Sequence, residues 1–217
     1  MDFIDKSIQA YSEKHTSKEP QHLYQLNRYT HTSVLQPRML SGHLQGRFLS
    51  FISGIAKPQY VLDIGTYTGY SALCLAEGLI ENGKVYSIEI DEEVALIAKD
   101  FIANTEYANS IEIIVGNAIE KILELNNKVP YWDMIWIDAE KSEYMQYYEA
   151  CFDKLKIGGI VMADNVLWSG KIIDNSALLN DEETQIINTF NQKIQNDKRV
   201  KNILIPLRDG IMAIEKL

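Results

Sequence analysis

Two aspartates stand at the ends of apolar runs that read as buried strands: Asp138 follows Met134-Ile-Trp-Ile137, and Asp164 follows Ile160-Val-Met-Ala163, with Asn165 next in line. A carboxylate at the mouth of an apolar strand is costly unless it is paired or put to use. Two such strands side by side can aim Asp138, Asp164 and Asn165 at one point above a sheet. Hard oxygen donors of this kind suit a divalent cation such as Mg²⁺, Mn²⁺ or Ca²⁺, and not zinc. Lys141 follows closely on Asp138, within reach of anything such a cation holds.

A second set of residues lies upstream. Val61-Leu-Asp63-Ile-Gly65-Thr-Tyr67-Thr-Gly69-Tyr-Ser71 joins an apolar run to a helical one. Gly65 lets the backbone approach a ligand closely, and a helix N-terminus after Gly69 offers free N–H groups to a carboxylate. The Gly-x-x-x-Gly spacing is not the Gly-x-Gly-x-x-Gly of dinucleotide folds, which argues against a nicotinamide-dependent dehydrogenase. Glu89 ends the next apolar run, 24 positions after Gly65 (89 − 65). An acid at that distance can accept both hydroxyls of a ribose.

The elements that must hold these residues follow from periodicity. Strands are expected at 60–64, 84–90, 111–115, 131–138 and 159–164. Helices are expected at 70–80, 92–104, 118–126, 142–155 and 181–196. Repeated strand–helix winding implies a parallel sheet covered by helices on both faces. The end differs: Ile203-Leu-Ile205 and Ile211-Met-Ala-Ile214 are joined only by Pro206-Leu-Arg-Asp209-Gly210, which predicts an antiparallel hairpin. Residues 1–57 read as a helical arm, with Phe3, Ile4, Ile8 and Tyr11 on one face of a first helix, a second after Glu19-Pro20, and a third over 42–55. Residues 58–217 form the α/β core of the same single domain. The stretch 167–180 is the one long irregular segment beside the proposed site and a candidate lid.

The totals narrow the class. The chain has 217 residues, 46% of them hydrophobic, enough for one well-buried domain. A net charge of −9 does not favour a sequence-independent grip on nucleic-acid phosphates. Cys74 and Cys151 lie in apolar helical stretches and read as reduced core thiols, in keeping with a cytoplasmic protein. The N-terminus lacks the basic start and apolar run of a secretory leader, and no apolar stretch approaches the ~20 residues of a membrane span. The four histidines (His15, His22, His31, His43) all fall in the arm without metal-ligand spacing.

Taken together, these segments resemble the metal-dependent class I S-adenosylmethionine O-methyltransferases, the group of catechol and caffeoyl-CoA O-methyltransferases and their bacterial relatives. The residues that carry the resemblance are Arg38-Met-Leu-Ser-Gly-His-Leu-Gln-Gly46, Leu62-Asp-Ile-Gly-Thr-Tyr-Thr-Gly-Tyr-Ser71, Ser87-Ile-Glu89, Trp136-Ile-Asp138-Ala-Glu-Lys141, Asp164-Asn-Val-Leu-Trp168-Ser-Gly170 and Asp209-Gly210. The resemblance implies a Rossmann-like, doubly wound, seven-stranded sheet, mostly parallel with a C-terminal antiparallel hairpin, plus N-terminal helices, in a homodimer. It implies that Met39, Asp63, Gly65, Thr66, Tyr67, Ser71, Glu89, Ala118 and Asp138 surround S-adenosylmethionine, with Glu89 on the ribose and Met39 and Tyr67 near the methyl donor. Asp138, Asp164 and Asn165 would hold the divalent cation, Lys141 would be the catalytic base, and Trp168 would wall the acceptor. A base role requires a lysine pKa below its usual value, which burial and a neighbouring cation both favour.

The acceptor expected is a small phenol with two neighbouring oxygens. One alternative is a transfer-RNA hydroxyuridine O-methyltransferase, for which Arg28, Arg38, Arg47 and Lys171 would supply a local basic patch. A second alternative is a non-catalytic S-adenosylmethionine-binding partner protein, against which the intact Asp138/Asp164/Asn165/Lys141 set speaks.

Overall fold

The computed structural model describes residues 5–217, so Phe3 and Ile4 lie outside the described residues. One seven-stranded sheet organises the chain: β1 (Tyr60–Ile64), β2 (Lys84–Glu89), β3 (Ile111–Val115), β4 (Trp132–Ile137), β5 (Leu155–Ala163), β6 (Val200–Ile205) and β7 (Ile211–Lys216). Their order is β3-β2-β1-β4-β5-β7-β6. The first five strands pair in parallel, and β7 runs antiparallel to both β5 and β6. The closing hairpin is the one expected from the short Pro206–Gly210 connection, which leaves no room for a crossover helix.

Nine helices flank the sheet among the described residues: α1 (Lys6–Lys14), α2 (Gln21–Ser33), α3 (Gly42–Ala56), α4 (Tyr70–Ala76), α5 (Glu92–Ala103), α6 (Ala118–Lys128), α7 (Tyr144–Phe152), α8 (Asn175–Asn180) and α9 (Glu182–Asn196). Several begin on the residue that polar side chains favour at a helix start. Asp91 accepts from Glu93 N and Val94 N ahead of α5, and Asn117 accepts from Glu120 N ahead of α6.

Strand alternation sorts the core into two layers. Met134 and Trp136 of β4 face a cluster with Val61, Tyr70, Leu73 and Met162. Ile135 and Ile137 face the opposite cluster with Leu62, Tyr144, Tyr148, Ile187 and Phe190. A register shift between Trp132 and Met134 turns Trp132 to the second layer as well. Burial on both faces explains why β4 is apolar nearly throughout. The arm is not a separate unit: Leu23, Leu26, Leu40 and Leu49 are buried in the first layer. Ile8 and Tyr11 of α1, by contrast, remain exposed.

Three expectations are corrected. The helix expected over 70–80 stops at Ala76, because Gly78 passes against the backbone of α3, where an added Cβ would lie 2.1 Å from Ser53 C. The helix expected over 142–155 runs only over Tyr144–Phe152, and β5 begins at Leu155, which pairs with Trp132. The stretch 167–180 is irregular only in its first part: Trp168, Ser169 and Gly170 take positive φ and kink the 3₁₀ segment Trp168–Ile173, and α8 follows.

Candidate active site

The sheet register aligns the site. Ile64 of β1 pairs with Ile88 of β2 and Ile137 of β4, and Ile137 pairs with Ala163 of β5. The next residue on each strand is therefore Gly65, Glu89, Asp138 and Asp164, a single row along the C-terminal edge. Backbone hydrogen bonds hold it: Asp138 N donates to Ile64 O at 2.8 Å and Asp164 N to Ile137 O at 2.9 Å. In sheets of this kind the carboxyl ends of the strands are where ligands bind.

Gly65 fits this row only as glycine. Its φ is +99°, and a Cβ there would lie 1.9 Å from Asp138 O. The two candidate loops thus touch backbone to backbone. Beneath the first loop, Asp63 is fully buried and accepts from Ser71 Oγ at 3.1 and 3.2 Å and from Ser87 Oγ at 2.5 Å. Ser87 Oγ also shares a hydrogen bond with Thr66 Oγ1 at 2.6 Å. Burial pushes the Asp63 carboxyl up to about 7 against the Ser87 and Ser71 hydrogen bonds, and the Asp138 and Glu89 charges add to the rise. Asp63, Thr66 and Ser71 therefore shape the loop from below.

Glu89 faces the loop from above. Its Oε2 accepts from Tyr67 N at 2.7 Å, and its Oε1 from Ile90 N and Asp91 N at 2.9 and 3.0 Å. Tyr67 takes a positive φ of 49° and donates its hydroxyl to Leu35 O at 2.7 Å, which ties the loop to the arm beside exposed Met39. Ala118 opens α6, just past the C-terminal end of β3.

At the other loop, Asp164 is buried while its hydrogen-bond donors are uncharged. Gln45 Nε2 donates to Oδ2 at 2.6 Å and Asn165 N to Oδ1 at 2.8 Å. Burial, with the Asp138 charge second, pushes Asp164 up to about 7. Asp138 Oδ1 accepts from Lys141 Nζ at 3.0 Å. Asn165 sits at φ 59°, in the left-handed region. Among the described residues no group of three His, Cys, Asp or Glu side chains converges. The donors at these neighbouring strand ends are the Asp138 and Asp164 carboxylates and the Asn165 amide, oxygen ligands of the kind a hard cation takes.

Three solved or curated relatives bear on this geometry. The fold matches the O-methyltransferase from Bacillus cereus solved in complex with SAH, with a TM-score of 0.88, 29% identity and 97% of both chains covered. A caffeoyl-CoA O-methyltransferase of Populus kitakamiensis is 32% identical over 80% of this chain and 76% of its own length. Another, from Stellaria longipes, is 28% identical over 89% of this chain and 83% of its own. The O-methyltransferase family model matches residues 13–217.

The chain belongs to the O-methyltransferase family. It is an S-adenosylmethionine-dependent enzyme of the caffeoyl-CoA O-methyltransferase type. No helix among the described residues of this methyltransferase is long and apolar enough to cross a membrane.

The methyltransferase departs from the sequence reading at Lys141. Burial favours the neutral amine, but the Tyr144 hydroxyl and the Asp138 carboxylate outweigh it and hold the pKa above the ordinary lysine value. The Nζ lies 5.0 Å from the Tyr144 ring centroid. The proposed basic patch is also reduced: Arg47 is ion-paired with Glu77 at 2.6 Å and Lys171 with Asp181 at 2.8 Å. Trp168 has a positive φ of 47° and packs against the second core layer, its indole N–H buried without a hydrogen-bond partner.

Tyr144, and a further role for the Asp209–Gly210 turn, complete the site of the methyltransferase. Tyr144 is fully buried, and its hydroxyl donates to Asp164 O at 3.2 Å. The Asp209–Gly210 turn carries the Asn165 loop: Leu167 N donates to Asp209 O at 2.8 Å, Val166 N to Gly210 O at 3.2 Å and Ser169 N to Asp209 Oδ1 at 2.5 Å. An added Cβ at Gly210 would meet Leu167 Cγ at 2.5 Å. Gln45 carried one signal in the sequence, a polar residue on the helix face shared with Leu49 and Ser53.

Proposed function

We propose that this enzyme methylates one oxygen of a small vicinal aromatic diol, of the catechol or caffeoyl type, and that Asp138, Asp164 and Asn165 would hold a divalent cation beside that acceptor. The observation that carries the reading is Asp164. It is buried, sits on the strand next to that of Asp138, and has only amide donors. A buried carboxylate whose own donors are neutral, next to the lysine-paired Asp138, is unfavourable alone and favourable around Mg²⁺, Mn²⁺ or Ca²⁺.

When bound, the cation lowers the pKa of a hydroxyl on it, and S-adenosylmethionine supplies an electrophilic methyl group. This chain's residues do the rest. Glu89, at the end of β2 and fixed by three backbone N–H groups, is placed to accept the ribose hydroxyls. Gly65 keeps the cofactor loop against Asp138, so donor and acceptor meet at the edge between β1 and β4. Lys141 is the base for the acceptor hydroxyl only as the free amine, so it must first give up its own proton to solvent. Its amine is held protonated by the Asp138 charge, and that hold weakens once Asp138 ligates a cation. Trp168 supports a wall against the acceptor ring. Holding the reacting oxygen in line with the methyl group contributes most of the remaining acceleration.

Methyl transfer from labelled S-adenosylmethionine to 3,4-dihydroxybenzoate and to caffeoyl-CoA, with Mg²⁺ and with EDTA, tests the reading. Transfer to either phenol that disappears with chelator is expected. Transfer that persists in EDTA overturns the metal role. Cofactor binding without transfer to any phenol overturns the acceptor class and sends the search to bulk transfer RNA that carries hydroxyuridine without the methyl group.

A further inference from the structure

Gln45 is fully buried, 119 positions from Asp164, yet it makes the shorter of that carboxylate's two hydrogen bonds, 2.6 Å from Nε2 to Oδ2. At its other end, Oε1 accepts from Arg208 Nη1 at 2.9 Å. A guanidinium has donors only. It therefore decides which way round the Gln45 amide sits: the carbonyl oxygen turns to Arg208, and the NH₂ group turns to Asp164. The Asp164 carboxylate favours the same orientation, so without Arg208 the Gln45 carbonyl would lose its donor and the amide would be fixed at one end only.

Arg208 is itself anchored. Nη1 also donates to Leu40 O at 2.9 Å and to Ser41 O. Those carbonyls follow the 3₁₀ turn Pro37–Met39 in the arm. Arg208 has a positive φ of 51° and sits in the β6–β7 turn, beside the Asp209 that carries Leu167 and Ser169. One side chain thus joins three segments: the arm, the closing hairpin, and through Gln45 the acid at the end of β5.

We propose that Arg208 and Gln45 are positioning residues that act in series, Arg208 setting the orientation of the Gln45 amide and Gln45 setting the orientation of the Asp164 carboxylate toward the cation. The inference rests on the reading of Asp164 as a metal ligand. Asp164 holds its plane because Oδ2 is tied to Gln45 and Oδ1 to Asn165 N. Without Gln45 one oxygen is released and the carboxylate can rotate away from Asp138. Outer partners of metal ligands commonly contribute 10–100-fold in metal affinity.

The test measures Mn²⁺ binding to the full chain by electron paramagnetic resonance of the free ion, with S-adenosylhomocysteine affinity measured alongside. Gln45→Met is expected to weaken Mn²⁺ about tenfold while S-adenosylhomocysteine binding changes less than about twofold. Arg208→Gln, in a surface turn, is expected to weaken Mn²⁺ similarly and carries the test if the core substitution fails to fold. The double variant is expected to be no weaker than the single ones, because a series is broken only once. Additive losses would sever Arg208 from Gln45 and overturn the series. Wild-type Mn²⁺ affinity in Gln45→Met, with Asp164→Ala having lost it, overturns the positioning role and leaves the metal reading standing. Mn²⁺ affinity unchanged in Asp164→Ala removes the metal reading itself.

Discussion

Two buried aspartates, Asp133 in β4 and Asp164 at the end of the neighbouring β5, sit at opposite edges of the sheet and are treated in opposite ways. At the N-terminal edge Asp133, 4% exposed, accepts from Gln59 N and Tyr60 N at 2.8 Å each and is paired with the Lys156 ammonium. At the C-terminal edge Asp164, 3% exposed, accepts only from Gln45 and Asn165 amides and faces a second carboxylate, Asp138. The first edge neutralises its buried charge with its own lysine. At the second, Lys141 is taken by Asp138, and Asp164 is left with neutral donors at the edge where ligands bind in sheets of this class. An acid satisfied by its own fold is a structural device, and an acid left facing another acid is suited to something that arrives.

Substitution can break this contrast. Asp164→Ala carries the largest expected effect: methyl transfer to a catechol falls by about 10³-fold or more, since one cation ligand accounts for several kcal/mol of barrier, while the melting temperature holds or rises as a buried charge disappears. A variant that melts many degrees lower but retains turnover would place Asp164 with Asp133 as structural. Lys141→Met is expected to lower kcat about 10²–10⁴-fold with S-adenosylhomocysteine binding preserved in calorimetry. Unchanged kcat removes the lysine from the proton transfer.

Asp133→Ala should show the mirror image. The loss of two N–H acceptor contacts and the Lys156 pair should cost about 2–3 kcal/mol in urea unfolding, with kcat of the folded enzyme intact. A fall in kcat without a fall in stability would erase the distinction between the edges.

The last effect leaves turnover aside and is read as pH dependence at Asp63, the buried acid one strand over. Folding raises its pKa from 3.8 to about 7, so the folded state binds the extra proton. Stability should therefore fall as pH rises from about 4 to about 7, and Asp63→Asn should reduce that slope in cofactor- and metal-free protein, Asp164 supplying the rest. An identical slope in the variant would show that the Ser71 and Ser87 hydroxyls keep Asp63 ionised at its ordinary value.

Much of this was legible in the chain. Alternating strand and helix patterns, Gly65 and Gly69 after β1, and the acids closing β2, β4 and β5 are local signals, readable because strand and turn chemistry act over a few residues. Element ends were less legible. α4 stops at Ala76 because of a contact with Ser53 on α3, and β5 starts early because Leu155 finds Trp132. Lys141 illustrates a subtler limit: spacing placed it beside Asp138, but the direction of its pKa depends on Tyr144 and on the charge Asp138 carries.

By itself, the sequence determined the strand order's raw material and the donors at the strand ends, because period-two burial and a buried acid's need for a partner are written in neighbouring residues. Tertiary structure alone decided that Gly65 would meet Asp138 O, that Arg47 and Lys171 would be taken up by Glu77 and Asp181, and that Gln45 would stand between Asp164 and Arg208. Those contacts span up to 163 positions. No local spacing encodes them, since they form only when the parallel sheet, the arm and the closing hairpin bring distant donors and acceptors to one edge.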